Sequence, residues 1–269
     1  MRVMTRRLPF LFVGVLWLAA IRPAAADDVV EMSFEGFGPA GLHLMTTHTT
    51  IEENAASYVI QGDFETAGLG TLFVNVANRS VAQGRQIADT PQPVSFESET
   101  ARNGVVQHNR VEYQADGTPS GSSTPPPREP VTPIDARQLP GTIDNLTAYL
   151  LLERQLAHGA SCALKVPVFD GRHRYDLQFS DAGRALLTPS DGQKFSGPAQ
   201  ACHMVRNEIG GFYVDKKHEE GAQSGTIWYA PLLTDLAVPV RMKMDTEIGD
   251  VSIFLSQLRG RGVNLRLME

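Results

Sequence analysis

Val238-Pro239-Val240-Arg241-Met242-Lys243-Met244-Asp245 places an apolar residue at every second position from 238 to 244, against Pro239, Arg241, Lys243 and Asp245. A period of two puts one kind of residue on each face of an extended chain, so the stretch predicts a half-buried β-strand. Val251, Ile253 and Leu255 repeat the pattern after a turn at 246–250. Upstream, 224–229 with Trp228 and 199–207 with Cys202 read as further strands. Residues 163–179 read as a hairpin turning at Asp170-Gly171-Arg172, with Tyr175, Leu177 and Phe179 on one face and Arg174, Asp176 and Gln178 on the other. Asp170 beside Gly171 is therefore assigned to turn chemistry rather than to catalysis.

The same pattern extends toward the N-terminus. Strands are predicted at 29–37, 42–51 and 58–64, with the alternation carried on by Leu72, Val74 and Val76, and at 94–99 and 105–113 across Asn103-Gly104. Residues 115–133 break it with Ser120, Gly121, Ser122 and Ser123, followed by Pro125-Pro126-Pro127 and further prolines at 130 and 133, and predict an exposed, mobile loop. One helix is expected at 142–157, capped by Asp144 or Thr142 and ended by Gly159. Ile143, Leu146, Tyr149, Leu150, Leu156 and Ala157 share one of its faces. Glu153 falls in that stripe and is read as a salt-bridged or rim residue in preference to a ligand-handling carboxylate. No helices alternate with the strands, which excludes a parallel α/β sheet. An antiparallel sheet of about ten or more strands has to curl. The fold expected for residues 27–269 is a single all-β domain: a strongly curved antiparallel sheet forming a half-open barrel, with one covering helix.

Residues 1–26 read as a cleaved signal peptide. Arg2, Arg6 and Arg7 precede an apolar run over 8–21, and Ala24-Ala25-Ala26 forms a cleavage site before Asp27. The run is too short to span a bilayer, so no transmembrane anchor is expected in the mature chain, and the predicted location is the periplasm. The leader carries four of the 24 basic residues and none of the 30 acidic ones, leaving a net charge of 20 minus 30, or −10. Nucleic acid is therefore a poor partner. Cys162 and Cys202 are the two cysteines of the chain. In an oxidising compartment they are expected to form a disulfide, since neither CxxC spacing nor a neighbouring ligand set supports a redox or metal role.

Catalytic motifs are missing: there is no GxSxG, HExxH, P-loop or dinucleotide fingerprint. The histidines at 43, 48, 108, 158, 173, 203 and 218 never take paired metal spacing on a helix, so neither a metal nor a cofactor is expected. A hydrolase would need a dispersed site in which Glu153, Asp176 or His203 converge in one cleft. The favoured reading is a non-catalytic envelope protein. A curled sheet under a helix often encloses space, and Tyr149, Phe169, Tyr175, Trp228 and Phe254 are the residues expected to line a cavity for a lipid or other apolar or amphiphilic ligand. The alternative is an assembly or scaffolding factor that meets an envelope protein through its surface.

Asp144-Asn145-Leu146-Thr147-Ala148, Phe169-Asp170-Gly171-Arg172 with Tyr175-Asp176-Leu177, Trp228, Val238-Pro239-Val240-Arg241 and the segment 246–249 together resemble the uncharacterised bacterial exported family catalogued as domain of unknown function 3108. The resemblance runs from about Val30 to Leu258 and is strongest after Thr142. It implies an envelope protein whose curved sheet looks like that of periplasmic lipoprotein carriers, and it supplies no catalytic residues.

Overall fold

The computed structural model describes residues 28–72, 75–88, 90–190, 193–215, 222–246 and 249–268. The predicted signal peptide, Val74 and His218 lie outside the described residues. Seven strands precede the helix: β1 (Asp28–Phe37), β2 (His43–Glu53), β3 (Ser57–Thr66), β4 (Val76–Ile87), β5 (Thr90–Arg102), β6 (Val105–Tyr113) and β7 (Pro119–Thr124). After α1 (Asn145–Ala157) come β8 (Leu164–Phe169), β9 (Arg174–Leu187), β10 (Gly197–Gly210), β11 (Ser224–Ala230), β12 (Val238–Thr246), β13 (Gly249–Gly260) and β14 (Val263–Arg266).

All of them join one antiparallel sheet in the order β7-β6-β5-β4-β3-β2-β1-β13-β12-β11-β10-β9-β8, with β14 pairing the far end of β13. Each half is thus a simple meander, and the two meanders meet where β1 pairs with β13. The sheet curls into a nearly closed barrel, because its two ends come together. A methyl placed on Gly171, in the β8–β9 turn, would lie 2.9 Å from the Arg110 carbonyl oxygen of β6 and 3.1 Å from that of Ser122 in β7. Across the same seam Arg172 donates to Gln107 Oε1 at 3.2 Å.

The segment 115–133 differs from the expected mobile loop. It is largely exposed, but β7 pairs with β6 from His108–Thr124 to Tyr113–Pro119, and Ser123 is bonded to both Gln107 and Asn109. Proline at the first position of an edge strand leaves the ladder intact, and serines suit a strand facing water. Farther on, Pro130 and Thr132 exchange backbone bonds with Val214, Phe212 and Gly211.

The helix does more than cover the sheet. Asp144 caps it, accepting from the Thr147 N–H at 2.8 Å and the Thr147 hydroxyl at 2.7 Å. Thr147, Ala148, Leu150, Leu152 and Glu153 are its buried residues, a distribution broader than the single stripe expected. Leu150 belongs to the core cluster that runs through β1–β6 and on into β12 and β13, while Ala148 and Leu152 pack with core residues of β8–β11. The helix is therefore a wedge between the two flanks of the barrel, apolar on two sides because each side meets a different part of the sheet. Just before it, Ile143 bridges to Val168 and shields the free edge of β8.

The expected disulfide is present. Cys162 and Cys202 are bonded, which ties the chain leaving α1 to the middle of β10. Both cysteines are fully buried, and the Cys162 N–H donates to Asp181 at 3.0 Å.

Candidate apolar binding site

Between α1 and the sheet lies a cavity of about 310 Å³. The helix contributes Leu146, Tyr149, Leu150 and Glu153, whose spacing of three and four residues sets them on one face. The opposite wall comes from alternate residues of six strands: Met32 and Phe34 on β1; Met45, Thr47, Thr49 and Ile51 on β2; Ile60 and Phe64 on β3; Ile227 and Tyr229 on β11; Met242 and Met244 on β12; and Ile253 on β13. Register explains the continuity, since Ile227 pairs with Met242 and Met242 with Ile253. Pro239, predicted on the polar side of its strand, also lines the cavity. A bulge between Trp228 and Tyr229 pairs Tyr229 with Pro239 and brings both to the same face.

Met45, Thr47, Phe64, Met242 and Met244 are half-buried and form the open side, whereas Ile51, Leu150, Tyr229 and Glu153 are buried at the deep end. Four of the lining residues are methionines. Their unbranched, polarisable side chains re-pack around ligands of different shape. Two other depressions, of about 260 and 360 Å³, lie on the outside of β2–β6 between charged side chains such as Asp63, Arg79, Glu99 and Arg110, and are furrows of the solvated surface.

Glu153 is 7 % exposed and forms no ion pair or side-chain hydrogen bond among the described residues, contrary to the expectation of a salt bridge or a rim position. Burial, with a smaller push from Glu53, raises its pKa to about 8, so the group is largely a neutral acid at pH 7. Glu53, by contrast, is held by Arg154 and by Arg261 at 2.5 Å, and Arg261 reaches Asp235 at 2.6 Å.

Of the residues expected to line a cavity, Tyr149 does, packed edge-on against Phe179 with ring centroids 5.7 Å apart. The other four sit elsewhere. Phe169 is buried where the barrel ends meet, close enough to Gly121 that a methyl there would clash with its ring. Tyr175 packs against Phe212, with Arg206 over its ring. Trp228 and Phe254 fall on the opposite face from Ile227, Tyr229 and Ile253, where Trp228 stacks with Arg241 at 4.7 Å and Phe254 meets Phe37. Ring size was the wrong guide and strand parity the right one: the alternation that placed Met242, Met244 and Ile253 on an apolar face already marked them.

The three residues of the dispersed hydrolytic site do not converge. Asp176 is ion-paired to Arg174 at 2.7 Å and Lys165 at 3.0 Å on the outward side of β9, opposite Tyr175 and Leu177. His203 is exposed on β10 between the buried Cys202 and Met204, so the sheet separates both from Glu153. No cluster of metal-ligating side chains occurs among the described residues.

A family described as protein of unknown function (DUF3108) matches residues 30–256, nearly the whole barrel. The chain belongs to this family. No curated protein matches the DUF3108 chain in sequence. Among solved structures it is similar to the crystal structure of a beta-barrel-like protein of domain of unknown function DUF1849 from Brucella abortus, with a TM-score of 0.52 and 12% identity over 88% of this chain and 99% of that one. At that identity the likeness is one of fold: the DUF3108 chain shares a curled, barrel-like sheet with it.

Proposed function

We propose that this protein is a non-catalytic periplasmic binding protein of the cell envelope, which takes one apolar or amphiphilic ligand between α1 and the curved sheet. The observation that carries the reading is the cavity, apolar over nearly all its wall, open along one side and lined by four methionines. Its volume lies at the low end of the range of about 300–1,000 Å³ typical of small-molecule sites, which suits one aliphatic chain better than a lipid with several. The leader and the disulfide support the compartment, because such bonds persist where the surroundings are oxidising. Among the described residues no helix is long and apolar enough to cross a membrane.

The surface-acting alternative draws less support. The exposed large apolar side chains, Leu42, Ile87, Val105, Val106, Leu186 and Val214, are distributed over several turns and strand ends. The test is native mass spectrometry and lipid extraction of protein purified from the periplasm, together with uptake of a neutral apolar dye. Co-purified ligand or saturable dye binding that fails in Met242→Trp is the expected result. A protein found only in the cytoplasm, or one that binds neither lipid nor dye, overturns the proposal.

A further inference from the structure

The described residues include three buried acidic side chains, and two of them are satisfied. Asp144 accepts two hydrogen bonds from Thr147, and Glu53 lies between two arginines. Glu153 lines the cavity and, among the described residues, has no ion pair or side-chain hydrogen bond. The titratable and charged groups around it are Tyr149 on its own helix, Tyr229 from β11 and Glu53 from β2 with its arginines; Arg206 acts on Tyr149. Among the described residues no lysine, arginine or histidine lines the cavity. A largely buried acid without a protein partner costs free energy, and one placed on the wall of an apolar cavity fits a group that is completed by its ligand.

We infer that Glu153 is the recognition group of this cavity and that the ligand is an aliphatic amine, its chain among the methionines and its ammonium on the Glu153 carboxylate. The inference rests on the binding role proposed above and adds the chemistry of the head group. An anionic head group beside Glu153 would find no cation among the described lining residues to offset it. An alcohol would supply a single hydrogen bond. An ammonium supplies three donors and the missing charge. Because Glu153 is mostly protonated in the free protein at pH 7, an incoming ammonium displaces its proton to the buffer, so binding releases close to one proton and strengthens as pH rises toward 8.

The test compares decylamine, decanol and decanoate as competitors of a neutral apolar dye at pH 7, in the wild-type protein and in Glu153→Gln. Decylamine is expected to displace the dye at a concentration about ten- to a hundredfold below that of decanol, with decanoate weakest, and the glutamine variant to lose the advantage of the amine while still binding dye. Calorimetry of the wild type in buffers of different ionisation enthalpy reads the released proton without any variant. Equal potency of amine and carboxylate, an advantage that survives Glu153→Gln, or the absence of proton release overturns the assignment and leaves the cavity as a binding site. Failure of dye and decanol alike to bind overturns both.

Discussion

Glu153 on α1 and Glu53 on β2 lie within electrostatic range of one another, yet only Glu53 has cations beside it. Arg154 and Arg261 hold Glu53, and burial, with a smaller push from the Glu53 carboxylate, keeps Glu153 protonated. One acid fastens the helix to the sheet, and the other is left to the cavity. The two roles make opposite predictions for their neutral variants.

Glu153→Gln should stabilise the protein at neutral and alkaline pH. Its folded pKa of about 8 stands above the model-peptide value of 4.5, so the folded state keeps a proton that the unfolded chain has released. Stability therefore falls as pH rises from about 4.5 to 8, by at most about 1.4 kcal/mol per pH unit. Asp144, pushed up by burial to about 6, adds the same sign in the lower part of that window. Melting temperatures of the variant should flatten between about pH 6 and 8; an unchanged slope would show that Glu153 is ionised throughout.

Glu53→Gln should be strongly destabilising. The substitution removes the carboxylate that the partly buried Arg154 and Arg261 share, leaving Arg261 its second partner Asp235. Removing one member of a buried ion pair costs about 3–5 kcal/mol. Urea unfolding should show a lowered midpoint with an unchanged slope.

Cys162→Ser should lower stability under oxidising conditions and match the wild type when both are reduced. Closing a loop with a sequence separation of 40 is worth about 4 kcal/mol by chain entropy, an upper figure because structure in the reduced state diminishes it. Equal melting of the two oxidised proteins would show the bond to be inconsequential.

Gly171→Ala and Gly104→Ala separate the barrel seam from turn strain. Both glycines have positive φ, 92° and 81°, but a methyl at 104 meets open space and one at 171 meets the Arg110 backbone. The first substitution should cost about 1–2 kcal/mol from conformation alone. The second adds overpacking of about 1–3 kcal/mol. Similar losses in chemical unfolding would show that the seam yields freely.

The sequence by itself determined the one helix, most of the strands, the hairpin turns at 103–104 and 170–172 and the cysteine pair, while it left the helix cap between Asp144 and Thr142 and did not mark 77–87 or 263–266 as strands. Those signals are local: a period of two or of 3.6, an Asp at a helix start, a glycine at a positive φ. Alternation also marked which residues of one strand share a face, Met242 with Met244 and Ile253 with Val251 and Leu255, whereas joining them with Ile227 into one wall took the register between strands, and Trp228 and Phe254 fall on the other face. Where regularity breaks, at the bulge that turns Pro239 inward, sequence could not say so, because a bulge depends on the partner strand. Only the tertiary structure decided that 119–124 joins the ladder, that the ends of the sheet meet at Gly171, and that the helix is a wedge with two apolar sides. It alone decided the fate of Glu153. An acid's neighbours come from distant parts of the chain, as with Glu53 and Arg261, which are 208 residues apart, and a sequence pattern records which side chains face inward but not what waits there to meet them.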